Sequence, residues 1–234
     1  MIILFKKRTL ILCSLALVFC ALLCTFLLPE ASPATAGKPE TIIIDAGHGE
    51  PDGGAVSISG HNEASLNLDV ALKLCDYLKK NGFNIIMTRE NENGIFDENA
   101  KTTREKKVSD MHKREKIMNT SGADLFVSIH MNKFEIAKYS GPQVFYSPNF
   151  ETSEAIAKSI QQMLISDLKP QMEREIKKSD GGIYLLKKAK IPAVLIECGF
   201  LSNPDEEKLL LSADYRKKMA ESIGKGIIKY LKNG

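Results

Sequence analysis

The sequence predicts an α/β fold: a single domain with a mostly parallel central sheet and helices on both faces. Three observations carry this expectation. Short, largely apolar runs have the length and character of strands buried on both sides. Segments with helical spacing alternate with them. Strand–helix–strand order calls for right-handed crossovers, which set neighbouring strands parallel.

In order, Thr41 to Ala46 is the first such run, closed by Gly47. Glu63 to Asn81 is helical, with Leu66, Val70, Leu74 and Leu78 recurring every fourth position and Gly82 as a stop. Asn84 to Thr88 reads as the next strand. Asn91 to Ser109, charged and poor in apolar residues, reads as an exposed connection with partial helix. Met111 to Asn119 is a helix and Leu125 to His130 a second buried strand. Gly141 to Ser147 is extended between prolines, and Ser153 to Leu168 has helical spacing through Ala157, Ile160 and Leu164. Ala193 to Ile196 is the last strand, followed by helices over Asp205 to Leu211 and Ala213 to Leu231.

This body, residues 38–234, is large enough to bury one core. Residues 1–37 form a separate segment. Lys6, Lys7 and Arg8 precede an uncharged stretch from Thr9 to Leu28, then the small, turn-forming run Ala31 to Gly37. A basic flank and an apolar run predict export, with Ala34-Thr35-Ala36 suited to signal peptidase. The run also matches the roughly 20 residues that span a bilayer. The segment is therefore a cleaved signal or a retained membrane anchor, and either places the body outside the cytoplasm. Net charge is +3, from 32 Lys and Arg against 29 Asp and Glu, dispersed along the chain. Nothing in that balance supports nucleic-acid binding, which needs a clustered basic face. Of the five cysteines, only Cys75 and Cys198 fall in the body, one on a helix and one at a strand end, so no disulfide is expected.

Chemistry concentrates at the strand ends, where open α/β sheets build their sites. His48 follows a strand between Gly47 and Gly49; His130 closes a second apolar strand. Glu63 opens an amphipathic helix near its inward face. Two imidazoles and a carboxylate make a metal set with a position left open, as catalytic zinc requires. Glu197 directly follows Ala193-Val194-Leu195-Ile196, where an unpartnered carboxylate is costly unless it has a task such as proton transfer. His61 and His112 read as solvated, with His61 an alternative or supplementary ligand because it lies two residues before Glu63.

Asp45-Ala46-Gly47-His48-Gly49, Glu63 with Asn67-Leu68-Asp69, Ser128-Ile129-His130-Met131-Asn132 and Glu197-Cys198-Gly199-Phe200-Leu201-Ser202-Asn203 together resemble the zinc-dependent N-acetylmuramoyl-L-alanine amidases. Thr88-Arg89 and Arg114 also fit, and the likeness runs from Thr41 to Leu231. It implies one zinc per chain on His48, Glu63 and His130, with Glu197 as catalytic acid/base. It implies peptidoglycan as substrate, cut between the lactyl group of N-acetylmuramic acid and L-alanine. The short domain and export signal look most like the amidases of spore cortex maturation. Met131 and Lys133 stand where the resembled family carries small residues and are expected to alter the cleft wall. Only Lys133 to Ser140 separate Asn132 from Gly141-Pro142, too few for a helical plug, so an open site is expected. Control then falls to export, timing or an accessory activating protein. Two alternatives stand beside this reading: a cysteine-dependent peptidase using Cys198, and an exported wall-binding module without catalysis.

Overall fold

The computed structural model describes residues 40–233. The predicted signal or anchor, residues 1–37, and the start of the body at 38 lie outside the described residues. Six strands form one sheet: β1 (Thr41–Ala46), β2 (Asn84–Met87), β3 (Leu125–Asn132), β4 (Gln143–Tyr146), β5 (Lys177–Lys178) and β6 (Ala193–Phe200). Their order is β2-β1-β3-β6-β4-β5. The pairs β1–β2, β1–β3, β3–β6 and β4–β5 are parallel, and β4–β6 is antiparallel. Among the described residues six helices accompany the sheet: α1 (Glu63–Lys80), α2 (Thr103–Thr120), α3 (Glu151–Leu168), α4 (Tyr184–Lys188), α5 (Pro204–Leu211) and α6 (Ala213–Asn233). No helix among the described residues is long and apolar enough to cross a membrane.

Strand alternation divides the core. Ile42, Ile44, Val127, Ile129, Val194, Ile196 and Cys198 face the larger cluster, which takes in α1, α3 and α6 through Leu74, Leu78, Ile160, Leu164, Ile223 and Ile227. Ile43, Phe126, Ala193 and Leu195 face the other way, against Met118 of α2 and Leu185 and Leu186 of α4. Beyond these residues, the second face ceases to be apolar. Its next positions toward the strand C-termini are Asp45, Ser128, His130 and Glu197, and the register sets Asp45 beside Ser128 and His130 beside Glu197.

Four elements differ from the sequence expectation. α2 begins at Thr103 rather than Met111, because a capping box nucleates it: Thr102 Oγ1 accepts from the Glu105 amide while the Glu105 carboxylate accepts from the Thr102 amide. Its inward stripe is Lys107, Asp110, Arg114 and Met118, mostly charged, so apolar periodicity reveals only its end. β6 continues past Ile196 to Phe200, which places Glu197 inside the strand rather than after it. The two-residue β5 and the single-turn α4 carry too little pattern to predict.

Candidate metal centre

The site sits at the C-terminal ends of β1 and β3, where α1 also begins. Leaving β1, the chain turns through Gly47 to His48, which adopts a left-handed backbone (φ 62°), uncommon for a side-chain-bearing residue. Two buried arginines hold this turn. Arg89 donates to the carbonyls of Ala46 (2.9 Å), Gly47 (3.0 Å) and Ala64 (2.7 Å). Arg114 donates to the carbonyls of Ala46 (2.8 Å) and His48 and pairs with Asp45 and Asp110. Asp45 is also the acceptor for Thr88 Oγ1 (2.8 Å) and Ser128 Oγ (2.6 Å). Burial opposes its charge, but Arg114 and these hydroxyls overcome that and hold the carboxyl below its ordinary value. The carbonyls of a tight turn thus find partners without ladder pairing.

The structure brings His48, Glu63 and His130 together, with one ligand atom from each lying within 4.8 Å of the others. Glu63 is 3% exposed. Its carboxylate accepts from the amides of Ala55 (2.9 Å) and Met131 (3.2 Å) and from Asn67 Nδ2 (3.0 Å), one turn along α1. It also meets His130 Nδ1 at 3.0 Å and His48 Nε2 at 3.3 Å. The imidazole centroids are 5.0 Å apart. Glycines leave the room these side chains occupy. A Cβ on Gly47 would lie 2.3 Å from the His130 ring, and one on Gly54 would lie 2.7 Å from Glu63 Oε2 and 2.8 Å from the His48 ring.

Glu197, across the ladder from His130, is half-buried, and its Oε2 is enclosed with no hydrogen-bond partner. Burial pushes its carboxyl up to about 7; Glu63 adds to the rise and the two imidazoles oppose it. Burial disfavours a charge on His48, but hydrogen bonds and attraction from Asp52 and Glu63 win, raising the imidazole to about 9. Glu63 itself is held far below the usual carboxylate range, its hydrogen bonds to His130 and His48 outweighing burial. Two imidazoles around one buried carboxylate have the donor chemistry of a cation site. The donor set, the cradle made by the glycines and the orphaned Glu197 oxygen all fit a catalytic dication.

The centre is open. His48 and His130 keep 27% and 21% of their side-chain surface exposed and line a cleft of about 140 Å³ with Met111, Leu185 and Lys107. Residues 133–140 form turns without helix, and the charged connection 91–102 packs beside the His48 loop. A larger groove of about 680 Å³ on the outer side of α2 contains none of the four candidate residues.

Several sequence expectations are corrected here. His61 lies in an exposed turn, engages Ser59 Oγ at 3.0 Å and stands outside the cluster. Met131 points away from the cleft into the larger core, being on the strand face opposite His130, and Lys133 turns aside to donate to the Val56 carbonyl at 2.9 Å. Cys198 is fully buried in that same core. Burial, reinforced by the charges of Glu197 and Glu63, pushes its thiol well above the ordinary value. A buried, protonated thiol is no nucleophile, and the cysteine-peptidase alternative fails on that ground. Asp52 and Lys107 escaped the sequence reading. A metal-binding histidine usually engages a carboxylate through its second nitrogen, but the sequence offers both Glu50 and Asp52 for His48.

Fold and site together define an α/β domain with a histidine–glutamate–histidine group suited to hold a metal ion. The family profile described as N-acetylmuramoyl-L-alanine amidase (Amidase_3) matches residues 42–229. The germination-specific N-acetylmuramoyl-L-alanine amidase of Bacillus subtilis is 41% identical over 191 residues, covering 81% of this chain and 78% of that protein. An uncharacterized B. subtilis protein, YqiI, is 34% identical over 225 residues, covering 95% of this chain and 96% of that protein. Among solved structures, the CwlD amidase from Clostridioides difficile, in complex with the GerS lipoprotein, is 44% identical with a TM-score of 0.80 over 83% of this chain and 100% of that one. The chain belongs to the N-acetylmuramoyl-L-alanine amidase family. Its reaction is hydrolysis of the amide between the lactyl group of N-acetylmuramic acid and L-alanine in peptidoglycan, in a family that is zinc-dependent in general.

Proposed function

We propose that His48, Glu63 and His130 hold one zinc ion, that Glu197 moves the protons, and that the enzyme acts on cortex peptidoglycan of spores. The observation that carries the catalytic reading is the convergence of three ligand-type side chains beside a carboxylate with one enclosed, unpartnered oxygen. A zinc ion held there supplies a Lewis acid that polarises the scissile carbonyl, acidifies water and draws Glu197 toward its ionised form. Glu197 takes the proton of the attacking water and returns it to the departing amine of L-alanine. Burial raises this carboxyl and a bound dication would lower it again, and the two opposed influences suit a group that must both take and return a proton. The open cleft admits a glycan strand with its stem peptide.

Likeness to the germination-specific amidase of B. subtilis supports the cortex role. The C. difficile amidase solved with a lipoprotein supports an accessory protein as partner. The N-terminal apolar segment supports export, which puts the enzyme on the side of the membrane where its substrate lies.

Incubating purified residues 38–234 with peptidoglycan, followed by mass spectrometry, tests the reading. Free stem peptides beginning with L-alanine are expected, lost on chelation and restored by zinc. His48→Ala, Glu63→Ala and His130→Ala should each come off purification with little metal. Full zinc content in any of them overturns that residue's assignment.

A further inference from the structure

The second nitrogen of His48 has a built environment that the reaction does not account for. Nδ1 donates to Asp52 Oδ2 at 3.0 Å, which leaves Nε2 as the atom facing Glu63 in the cluster. The other Asp52 oxygen accepts from the Gly54 amide at 3.2 Å and from Lys107 Nζ at 2.7 Å. His48, Gly54 and Lys107 therefore share one carboxylate, and Lys107 comes from a distant element, α2.

Lys107 is the first residue of the inward stripe of α2, followed by Asp110 and Arg114 at helical spacing. All three face the β1–α1 connection. Arg114 holds the His48 carbonyl, and Asp110 pairs with Arg114 while accepting from the Ile95 amide at 2.6 Å. The charged connection ahead of α2 is joined to the same loop: the Glu50 amide donates to the Glu92 carbonyl (2.7 Å), and the Gly94 amide donates to the Glu50 carbonyl (2.9 Å). The helix and its connection thus grip the loop that carries His48 from outside the cluster.

We propose that Asp52 is a positioning residue that fixes the tautomer and orientation of His48 for zinc, and that Lys107 couples Asp52 to α2. This rests on the zinc reading above. A histidine free to rotate offers a metal either nitrogen in many orientations, whereas one whose Nδ1–H is held presents Nε2 in a single direction. Lys107 is half-exposed, so its effect on the Asp52 position is the weaker of the two. The connection 91–102, which the reaction leaves without a task, serves as the outer brace of the first ligand.

Zinc affinity of the full body, measured by competition with a chelator, tests the proposal on wild type, Asp52→Ala, Asp52→Asn and Lys107→Met. Nitrogen-15 spectra of the histidine rings in the zinc-loaded proteins report the tautomer. Asp52→Ala should bind zinc about 10–100-fold more weakly, with a lost Nδ1–H signature for His48. Asp52→Asn keeps an acceptor for the Gly54 amide and separates loop integrity from orientation; a loss of affinity there too is expected. Lys107→Met should lose about two- to threefold, consistent with a partly exposed ion pair. Unchanged affinity in Asp52→Ala overturns the proposal, and so does a His48 that is protonated on Nε2 in the zinc-loaded wild type. If wild type binds no zinc, the functional reading itself fails. A Lys107→Met variant with normal affinity and a raised KM would make Lys107 a substrate contact and remove it from the brace.

Discussion

The two faces of the sheet are built on different terms, and neighbouring residues of β6 show how. Cys198 points into the face covered by α1, α3 and α6, where the strand residues are hydrocarbon or sulfur along their whole length. Glu197, one residue earlier, points to the other face, where apolar packing stops after Phe126 and Leu195 and gives way to Asp45, Ser128, His130 and Glu197. The first face is stabilised by non-directional burial and tolerates change in proportion to the area lost. The second is stabilised by paired charges and directed hydrogen bonds, where removing a single partner strands another. The proposed catalytic chemistry lies on the face where packing has been given up.

The sharpest way to break this contrast is Arg114→Leu. The substitution keeps much of the side-chain bulk but strands Asp45 as a buried charge and frees the Ala46 and His48 carbonyls. A loss of about 3–5 kcal/mol in chemical denaturation is expected; less than about 1 kcal/mol would mean that the network contributes little.

Next in size is the pH dependence of zinc binding. His48 is raised from 6.5 to about 9 by Asp52 and Glu63, so in the metal-free protein its proton contributes stability that is complete below pH 6.5 and lost as pH rises through about 9. Zinc must displace that proton, so apparent affinity should climb about tenfold per pH unit toward 9 and flatten above it. Isothermal titration at several pH values measures the slope. A flat profile between pH 7 and 9 contradicts the charge state argued for the cluster.

The smallest effect is expected on the apolar face. Cys198→Ala should cost about 1–2 kcal/mol of stability through the cavity it leaves and should release stem peptides at the wild-type rate. A tenfold fall in turnover with zinc still in place would restore the thiol to the mechanism.

The sequence made the four central residues legible for a physical reason: a polar group at the end of an apolar strand has no packing role to hide behind. His130 and Glu197 stood out in that way, and His48 stood out between two glycines. Asp52 and Lys107 did not, since each sits among other charges and only the folded positions show which pair. The extent of β6 was hidden by the same alternation that makes the site. A carboxylate after four apolar residues looks like an end when only one face is considered, yet Cys198 and Phe200 return the strand to burial. α2 was half legible, because its inward stripe holds Lys107, Asp110 and Arg114 where an apolar helix would place leucines.

The central claim is that Glu197 moves protons and holds no metal. Its most direct test is Glu197→Gln, with zinc content and stem-peptide release measured on the same preparation. Zinc should remain at one per chain while release falls at least about a hundredfold, the least that loss of general acid–base help commonly costs. Near-normal release, or loss of the metal along with the activity, would contradict the account.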